Sequence, residues 1–189
     1  MIEAELKARL ADPQSVRNAL ADRADVENAV YHDTYFDNAH LALQQSNREL
    51  RIRTKIVDDR PRHILTYKEP AVDEATDSKP EHESDITDAE ALKTTLIGLG
   101  YRPVIKLTKR CENYTFDTRG RSVLATVVTV AELTDTFLEV ETLVEPGDVP
   151  AALQTLRDLL TDLGVDESAQ TTELYTDAVA AERAKKPGA

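Results

Sequence analysis

The stretch Ile2-Glu3-Ala4-Glu5-Leu6-Lys7-Ala8-Arg9-Leu10 decides the fold. Apolar Ile2, Ala4, Leu6, Ala8 and Leu10 alternate with charged Glu3, Glu5, Lys7 and Arg9, and a period of two is the signature of a strand with one oily and one ionic face. Working outward, the pattern recurs. Arg51 and Arg53 flank Ile52, with Leu50 before them; Lys68 follows Leu65 and Tyr67; Lys79, Glu81 and Glu83 share a face. Lys106, Arg110 and Glu112 run beside Val104, Ile105 and Leu107, and Glu139 and Glu141 alternate with Leu138 and Val140. An ordinary antiparallel sheet produces such alternation by turning its polar side to water. Like charges two residues apart on one face repel, however, unless opposite charges or a ligand interleave, and solvated surfaces mix the signs. The recurrence of same-sign pairs shifts the balance from that reading toward ionic faces turned inward, as they would be if the sheet closed into a barrel.

The rest of the chain supplies the remaining walls. Asp12-Pro13 reads as a helix cap and first helical position, followed by Val16, Ala19 and Leu20. Residues 29–36 form a strand. Residues 48–57 and 62–69 form two more, joined by Asp58-Asp59-Arg60-Pro61 as a hairpin connection. Residues 70–79 are polar and acidic and read as a mobile loop. After a strand over 81–86, Thr87-Asp88-Ala89-Glu90 is a capping-box arrangement opening a helix that Gly98 or Gly100 closes. Strands over 103–117, 122–132 and 136–144 follow, with a turn at Arg119-Gly120. Asp148 and Pro150 then open an amphipathic helix carrying Leu153, Leu156, Leu159, Leu160 and Leu163, a face suited to core packing or a dimer contact. A last helix spans 172–183, and residues 184–189 are a frayed tail. The sum is about eight strands with helices outside, an α+β fold in a single domain over 1–189.

The chain has 189 residues, with 23 Lys and Arg against 35 Asp and Glu, a formal charge of −12. That balance excludes general nucleic-acid binding, which depends on surplus cations, and an anionic membrane as partner. The start of the chain lacks a signal peptide's basic and apolar regions, no run reaches membrane-span length, and a cytoplasmic protein is expected. The one cysteine, Cys111, excludes an intramolecular disulfide and reads as a packed strand residue. No Gly-rich phosphate loop occurs, so any phosphate must be bound by side chains.

With the ionic faces inward, the charges become two opposed sets. Glu3, Glu5, Glu139 and Glu141 offer hard oxygen ligands suited to Mg²⁺ or Mn²⁺. Lys7, Arg51, Arg53, Lys68, Lys106 and Arg110 offer charge-assisted donors to a polyanion. Such walls suit a triphosphate–metal complex.

Glu3-Ala4-Glu5-Leu6-Lys7 resembles the N-terminal ExExK motif of the CYTH superfamily, the triphosphate tunnel metalloenzymes. Later stretches keep the same order: Asp33-Thr34-Tyr35-Phe36-Asp37, Leu50-Arg51-Ile52-Arg53, Leu65-Thr66-Tyr67-Lys68, Lys79-Pro80-Glu81-His82-Glu83, the Lys106 to Arg110 strand, Phe137-Leu138-Glu139-Val140-Glu141 and Glu173-Leu174-Tyr175. The spacing is most similar to the class IV adenylate cyclase-like branch. The resemblance implies an eight-stranded antiparallel tunnel with Lys7, Arg51, Arg53, Lys68 and Arg110 on phosphate. It also implies Mg²⁺ or Mn²⁺ on Glu3, Glu5, Glu139 and Glu141, with Lys79, Glu81, Glu83 and Glu112 lining the tunnel. Either Lys106 or, through a bulge, Lys109 joins the phosphate ligands. The implied activity is conversion of ATP to cyclic AMP and pyrophosphate, or else hydrolysis of thiamine triphosphate, inorganic triphosphate or a nucleotide; a polyphosphate-binding module without turnover is the third reading. The expected partner is a small-molecule triphosphate, and the expected state a monomer or homodimer. Family members often carry an Asp about ten residues before the Glu-x-Glu strand, where this chain offers Thr129 and Thr134-Asp135.

Overall fold

The computed structural model describes residues 1–73, 76 and 78–185. Its strands are β1 (Ile2–Arg9), β2 (Val26–Asp37), β3 (Glu49–Val57), β4 (Arg60–Lys68), β5 (Lys79–Ile86), β6 (Arg102–Thr118), β7 (Arg121–Val130) and β8 (Thr136–Val144). They close into one antiparallel barrel in the order β1-β5-β4-β3-β2-β6-β7-β8. The β1–β5 seam is short, pairing Ile2 with Pro80 and Glu3 with Lys79. Closure leaves each strand an inner and an outer face. Among the described residues five α-helices accompany the barrel: α1 (Pro13–Ala21), α2 (Ala42–Gln45), α3 (Ala89–Gly98), α4 (Val149–Asp162) and α5 (Tyr175–Lys185).

The local signals act as their chemistry requires. Asp12 caps α1 by accepting from the Ser15 amide, with Pro13 next. In α3 the cap is Asp88, one residue beyond the Thr expected from the capping-box pattern; it accepts from the Ala91 amide. The β3–β4 and β6–β7 connections each place two residues at positive φ, Asp58 and Asp59 at 48° and 60°, Arg119 and Gly120 at 49° and 77°. This is the backbone hand that matches strand twist in two-residue hairpins.

Part of the region read as a loop over 70–79 is paired among its described residues. Asp73 bridges to Ser78, and Lys79, only 2% exposed, already belongs to β5. Glu74, Ala75 and Asp77 of that stretch lie outside the described residues, as do 186–189 of the expected tail; residues 184 and 185 end α5.

The oily faces turn outward under the helices. Ile2, Ala4, Leu6 and Ala8 pack with alternate residues of β7 and β8 beneath Val16 and Leu20 of α1 and the leucines of α4. That settles the α4 face as core. Burial of this interface is the main apolar stabilisation of the β1–β8 side of the barrel. Leu156, wholly buried there, is expected to cost ~2–5 kcal/mol on replacement by Ala. Urea unfolding should show this as a lowered midpoint with an unchanged slope. A smaller cluster joins Phe36 and Ile52 to Leu96 of α3, and another seats Tyr175 and Val179 of α5 against Leu107, Cys111, Val128 and Phe137. Among the described residues no helix is long and apolar enough to cross a membrane.

Candidate functional site

The inner face holds the charge. A cavity of about 250 Å³ inside the barrel is lined by Glu3, Glu5 and Lys7 of β1, Glu49, Arg51 and Arg53 of β3, and Lys68 of β4. Its charged wall also includes Lys55 of β3, Arg62 of β4, Lys79, Glu81 and Glu83 of β5, Lys109 of β6, and Glu139 and Glu141 of β8. Strand parity alone explains the grouping, since residues i and i+2 share a face and the partner strands hold their register.

Strand β6 departs from expectation. Leu107, Lys109 and Cys111 are buried, whereas Lys106 and Arg110 are exposed and do not line the cavity. The β2–β6 register shifts between Tyr35 and Phe36, which pair with Ile105 and Pro103. On β6 the ordinary rule wins: its cation-rich side faces water, and only Lys109 enters the barrel. Glu112 also faces outward, where Arg17 of α1 donates to its two carboxylate oxygens at 2.8 and 2.9 Å. Thr129 pairs with Arg110 on the same outward parity, and Asp135 forms an exposed ion pair with Arg9. The inward positions of β7 beside the glutamates are therefore Leu124 and Thr126, which pair with Glu141 and Glu139, and neither is acidic.

The cations are interleaved with carboxylates. Lys68 Nζ donates to Glu3 at 2.6 Å and lies 3.4 Å from Glu81. Arg53 grips Asp33 through Nε and Nη2, both at 2.8 Å. Arg51 lies 3.6 and 3.7 Å from Glu81 and Glu83 and donates to Thr66 at 3.1 Å. Its Nε is buried without a hydrogen-bond partner among the described residues. Lys79 meets Glu49 at 2.7 Å, and Lys109 meets Glu139 at 3.4 Å. Lys7 Nζ donates to the Glu173 carbonyl at 2.5 Å, and Lys7 and Lys109 both lie over the Tyr175 ring, at 4.8 and 4.3 Å from its centroid. Asp33 and Glu49 were not singled out as site residues from the sequence. Glu49 had a usable signal, since it shares the parity of Arg51 and Arg53.

The carboxylates divide by neighbour. Burial opposes ionisation of Glu3, Asp33 and Glu139. The cations beside them nevertheless hold all three below the usual carboxylate range: Lys68 for Glu3, Arg53 for Asp33 and Lys109 for Glu139. For Glu5, burial and the repulsion of Glu139 outweigh the attraction of Lys68 and Lys7 and push it up to about 8. Glu141 rises well above its usual value through burial and the charges of Glu3 and Glu5, and burial with the Glu3 contact takes Glu81 up to about 9.

Glu3, Glu5 and Glu141 each offer a carboxylate oxygen, and these oxygens lie within 4.8 Å of one another. Three half-buried carboxylates that resist simultaneous ionisation, made of hard oxygen donors, fit a divalent cation. A pH prediction follows from the same residues. A carboxyl raised in the folded state contributes stability that is complete below its unfolded value near 4.5 and is lost as pH rises through the folded value. The lowered carboxyls act only below that range. With chelator present, the melting temperature should therefore fall from pH 5 to pH 9, and Mg²⁺ or Mn²⁺ should flatten the decline. A chelated protein that gains stability toward pH 9 would contradict the assignment.

This geometry is accompanied by a clear relationship. Residues 1–175 match the CYTH domain. The chain belongs to the CYTH domain family. A protein of Methanocaldococcus jannaschii named "Putative adenylate cyclase MJ0240" is 25% identical over 170 residues, covering 88% of this chain and 92% of that protein. The solved structure of the PH1819 protein from Pyrococcus horikoshii OT3 is 27% identical, with a TM-score of 0.82 over 96% of this chain and 99% of that one. The Hippeastrum protein HpAC1, described as a "putative adenylyl cyclase" that reveals a dominant triphosphatase activity, shares the fold at 19% identity, with a TM-score of 0.65 and 96% of each chain covered. The CYTH barrel of this chain thus has its cations and acidic cluster in one interior cavity, as the alternation in β1 and β3 requires.

Proposed function

We propose that this CYTH-domain protein is a divalent-metal-dependent enzyme that grips the triphosphate of ATP inside the barrel and forms cyclic AMP and pyrophosphate. The observation that supports it is the convergence of Lys7, Arg51, Arg53, Lys68, Lys79 and Lys109 on the cavity that also holds the Glu3, Glu5 and Glu141 cluster. The buried, unpartnered Nε of Arg51 adds a donor with nothing to bond among the described residues.

In this reading Lys7, Arg51, Arg53, Lys68 and Lys109 donate charge-assisted hydrogen bonds to phosphate oxygens, the two arginines through planar forks. Asp33 keeps the Arg53 guanidinium in position. Glu3, Glu5 and Glu141 hold Mg²⁺ or Mn²⁺, with Glu139 beside them; the ion, when bound, neutralises phosphate charge and polarises a phosphoryl oxygen. The 3′-hydroxyl oxygen attacks the α-phosphorus as its proton passes to solvent water, the bond from that phosphorus to the bridging oxygen breaks, and pyrophosphate leaves with that oxygen. Holding the chain in line lowers the entropic part of the barrel reaction's barrier.

A second reading is hydrolysis, with water attacking the terminal phosphorus. It uses the same grip and is favoured by the activity stated for the Hippeastrum protein of like fold. The absence of an acidic residue at the inward positions of β7 favours a third, a module that binds without turnover. One assay separates them. The purified protein is incubated with Mg²⁺ or Mn²⁺ and ATP, thiamine triphosphate or inorganic triphosphate, and cyclic AMP, pyrophosphate and orthophosphate are resolved. Equimolar cyclic AMP and pyrophosphate from ATP is the expected result. Orthophosphate without cyclic AMP would replace the cyclase reading with the hydrolase, and tight binding without product would leave the module.

A further inference from the structure

Tyr31 carries no charge, yet it sits in the charged wall. It lies two residues before Asp33 on the inward face of β2, where it pairs with Lys55 of β3 and Lys109 of β6, and its ring lines the cavity. Arg53 Cζ lies over that ring at 4.3 Å from its centroid, and Lys55 Nζ lies over it at 5.7 Å.

We propose that Tyr31 is a positioning residue for phosphate binding, its ring holding the Arg53 guanidinium against Asp33 so that Nη1 is left for a phosphate oxygen. The inference rests on the triphosphate reading of the barrel and deepens it. Other cations of the cavity are held by carboxylates alone, Lys68 by Glu3 and Glu81 for example, and a phosphate must compete with those oxygens. Arg53 is held differently. Asp33 takes its Nε and Nη2, and Nη1 makes no hydrogen bond among the described residues. The face of a neutral ring attracts a cation without occupying any of its N–H donors. A guanidinium fixed beforehand loses less freedom when the ligand arrives.

The ring is itself anchored. Its hydroxyl accepts from Asn113 Nδ2 at 2.9 Å. Asn113, 5% exposed, also donates to Glu27 at 3.0 Å and accepts from the Thr126 hydroxyl at 3.1 Å, and Glu27 accepts from Lys55 at 2.6 Å. These contacts tie together β3, β2, β6 and β7, four strands adjacent in the barrel. Burial pushes the Tyr31 hydroxyl up to about 12, so the ring stays neutral and adds no anion to compete with phosphate.

The test is calorimetric titration with inorganic triphosphate and Mg²⁺. Tyr31→Leu, which removes the ring, should weaken binding by about tenfold. Tyr31→Phe, which keeps the ring and gives up only the Asn113 contact, should recover most of that loss. Mono-, di- and trifluorophenylalanine placed at position 31 keep the ring's shape while draining its negative face, and affinity should fall with each fluorine. This series decides the matter even if Tyr31→Leu fails to fold. Tyr31→Leu combined with Arg53→Gln should bind no more weakly than Arg53→Gln alone, because a residue that acts through Arg53 then has nothing to position. Affinity indifferent to fluorination, equal losses for Leu and Phe, or losses that multiply in the double variant would each overturn the inference and leave the barrel reading standing. A wild-type protein that binds no triphosphate would overturn both.

Discussion

Arg51→Ala should lower affinity for triphosphate by about 10²-fold or more, since charge-assisted hydrogen bonds contribute ~1.5–3 kcal/mol each and the guanidinium can make two. Arg51 is the cation best placed for this effect. It is 7% exposed, it faces Glu81, Glu83 and Thr66, and its Nε is free of partners among the described residues. Its loss also removes a buried positive charge from among carboxylates, and breaking such a set typically costs ~3–5 kcal/mol of stability. Asp33 moderates this, because Arg53 still holds it bidentately. Arg51→Lys separates binding from folding: it keeps the charge, and with it most of the stability, but loses the planar fork. Calorimetric titration of triphosphate together with a thermal melt should show Arg51→Lys folded and weakened in binding, and Arg51→Ala weaker still. Wild-type affinity in both would remove Arg51 from the site.

Glu141→Gln should abolish most of the stabilisation that Mg²⁺ or Mn²⁺ confers while leaving the chelated protein as stable as before or more so at pH 8. The two halves have one cause. Glu141 ionises only against its burial and the charges of Glu3 and Glu5, so its carboxylate is a strain on the empty barrel and an asset only beside a cation. Replacing a hydrogen-bonding neighbour of a metal ligand costs ~10–100-fold in metal affinity, and loss of a ligand itself should reach at least the upper end of that range. Thermal melts with and without metal measure both halves. A full metal-induced shift in Glu141→Gln would place the ion elsewhere.

What could be read from the sequence follows from how rigid strand parity is. In β1, β3 and β8 the alternation runs without interruption, and Glu3, Glu5, Lys7, Arg51, Arg53, Glu139 and Glu141 all face the cavity as expected. Helix α4 was equally plain, its leucines spaced for one face. Parity fails as a guide on β6, where both faces carry cations and a register irregularity lies at the end of the strand pair. Nothing in Lys106-Leu107-Thr108-Lys109-Arg110 by itself says which side is wet; the packing of Leu107 and Cys111 against Tyr175 decides it. Asp33 escaped for another reason. Its side chain earns its place through Arg53, a partner twenty residues away whose register no local pattern reveals. The loop over 70–79 was judged by composition, yet Lys79 is drawn into the barrel by Glu49 and the β1 pairing.

The same contrast explains how a chain of net charge −12 can hold a polyanion. Inward parity gathers cations in one small cavity, and the excess acid lies largely on helices and turns outside it. The local field, not the total charge, governs a ligand inside the barrel.

The most direct measurement is a crystal structure of the protein soaked with Mn²⁺ and a non-hydrolysable ATP analogue, with anomalous scattering to locate the metal. The account predicts an anomalous peak among Glu3, Glu5 and Glu141, with phosphate oxygens within hydrogen-bond distance of Arg51, Arg53 and Lys68. Manganese and phosphates bound outside the barrel, with the Arg51 and Glu141 side chains unengaged, would contradict it.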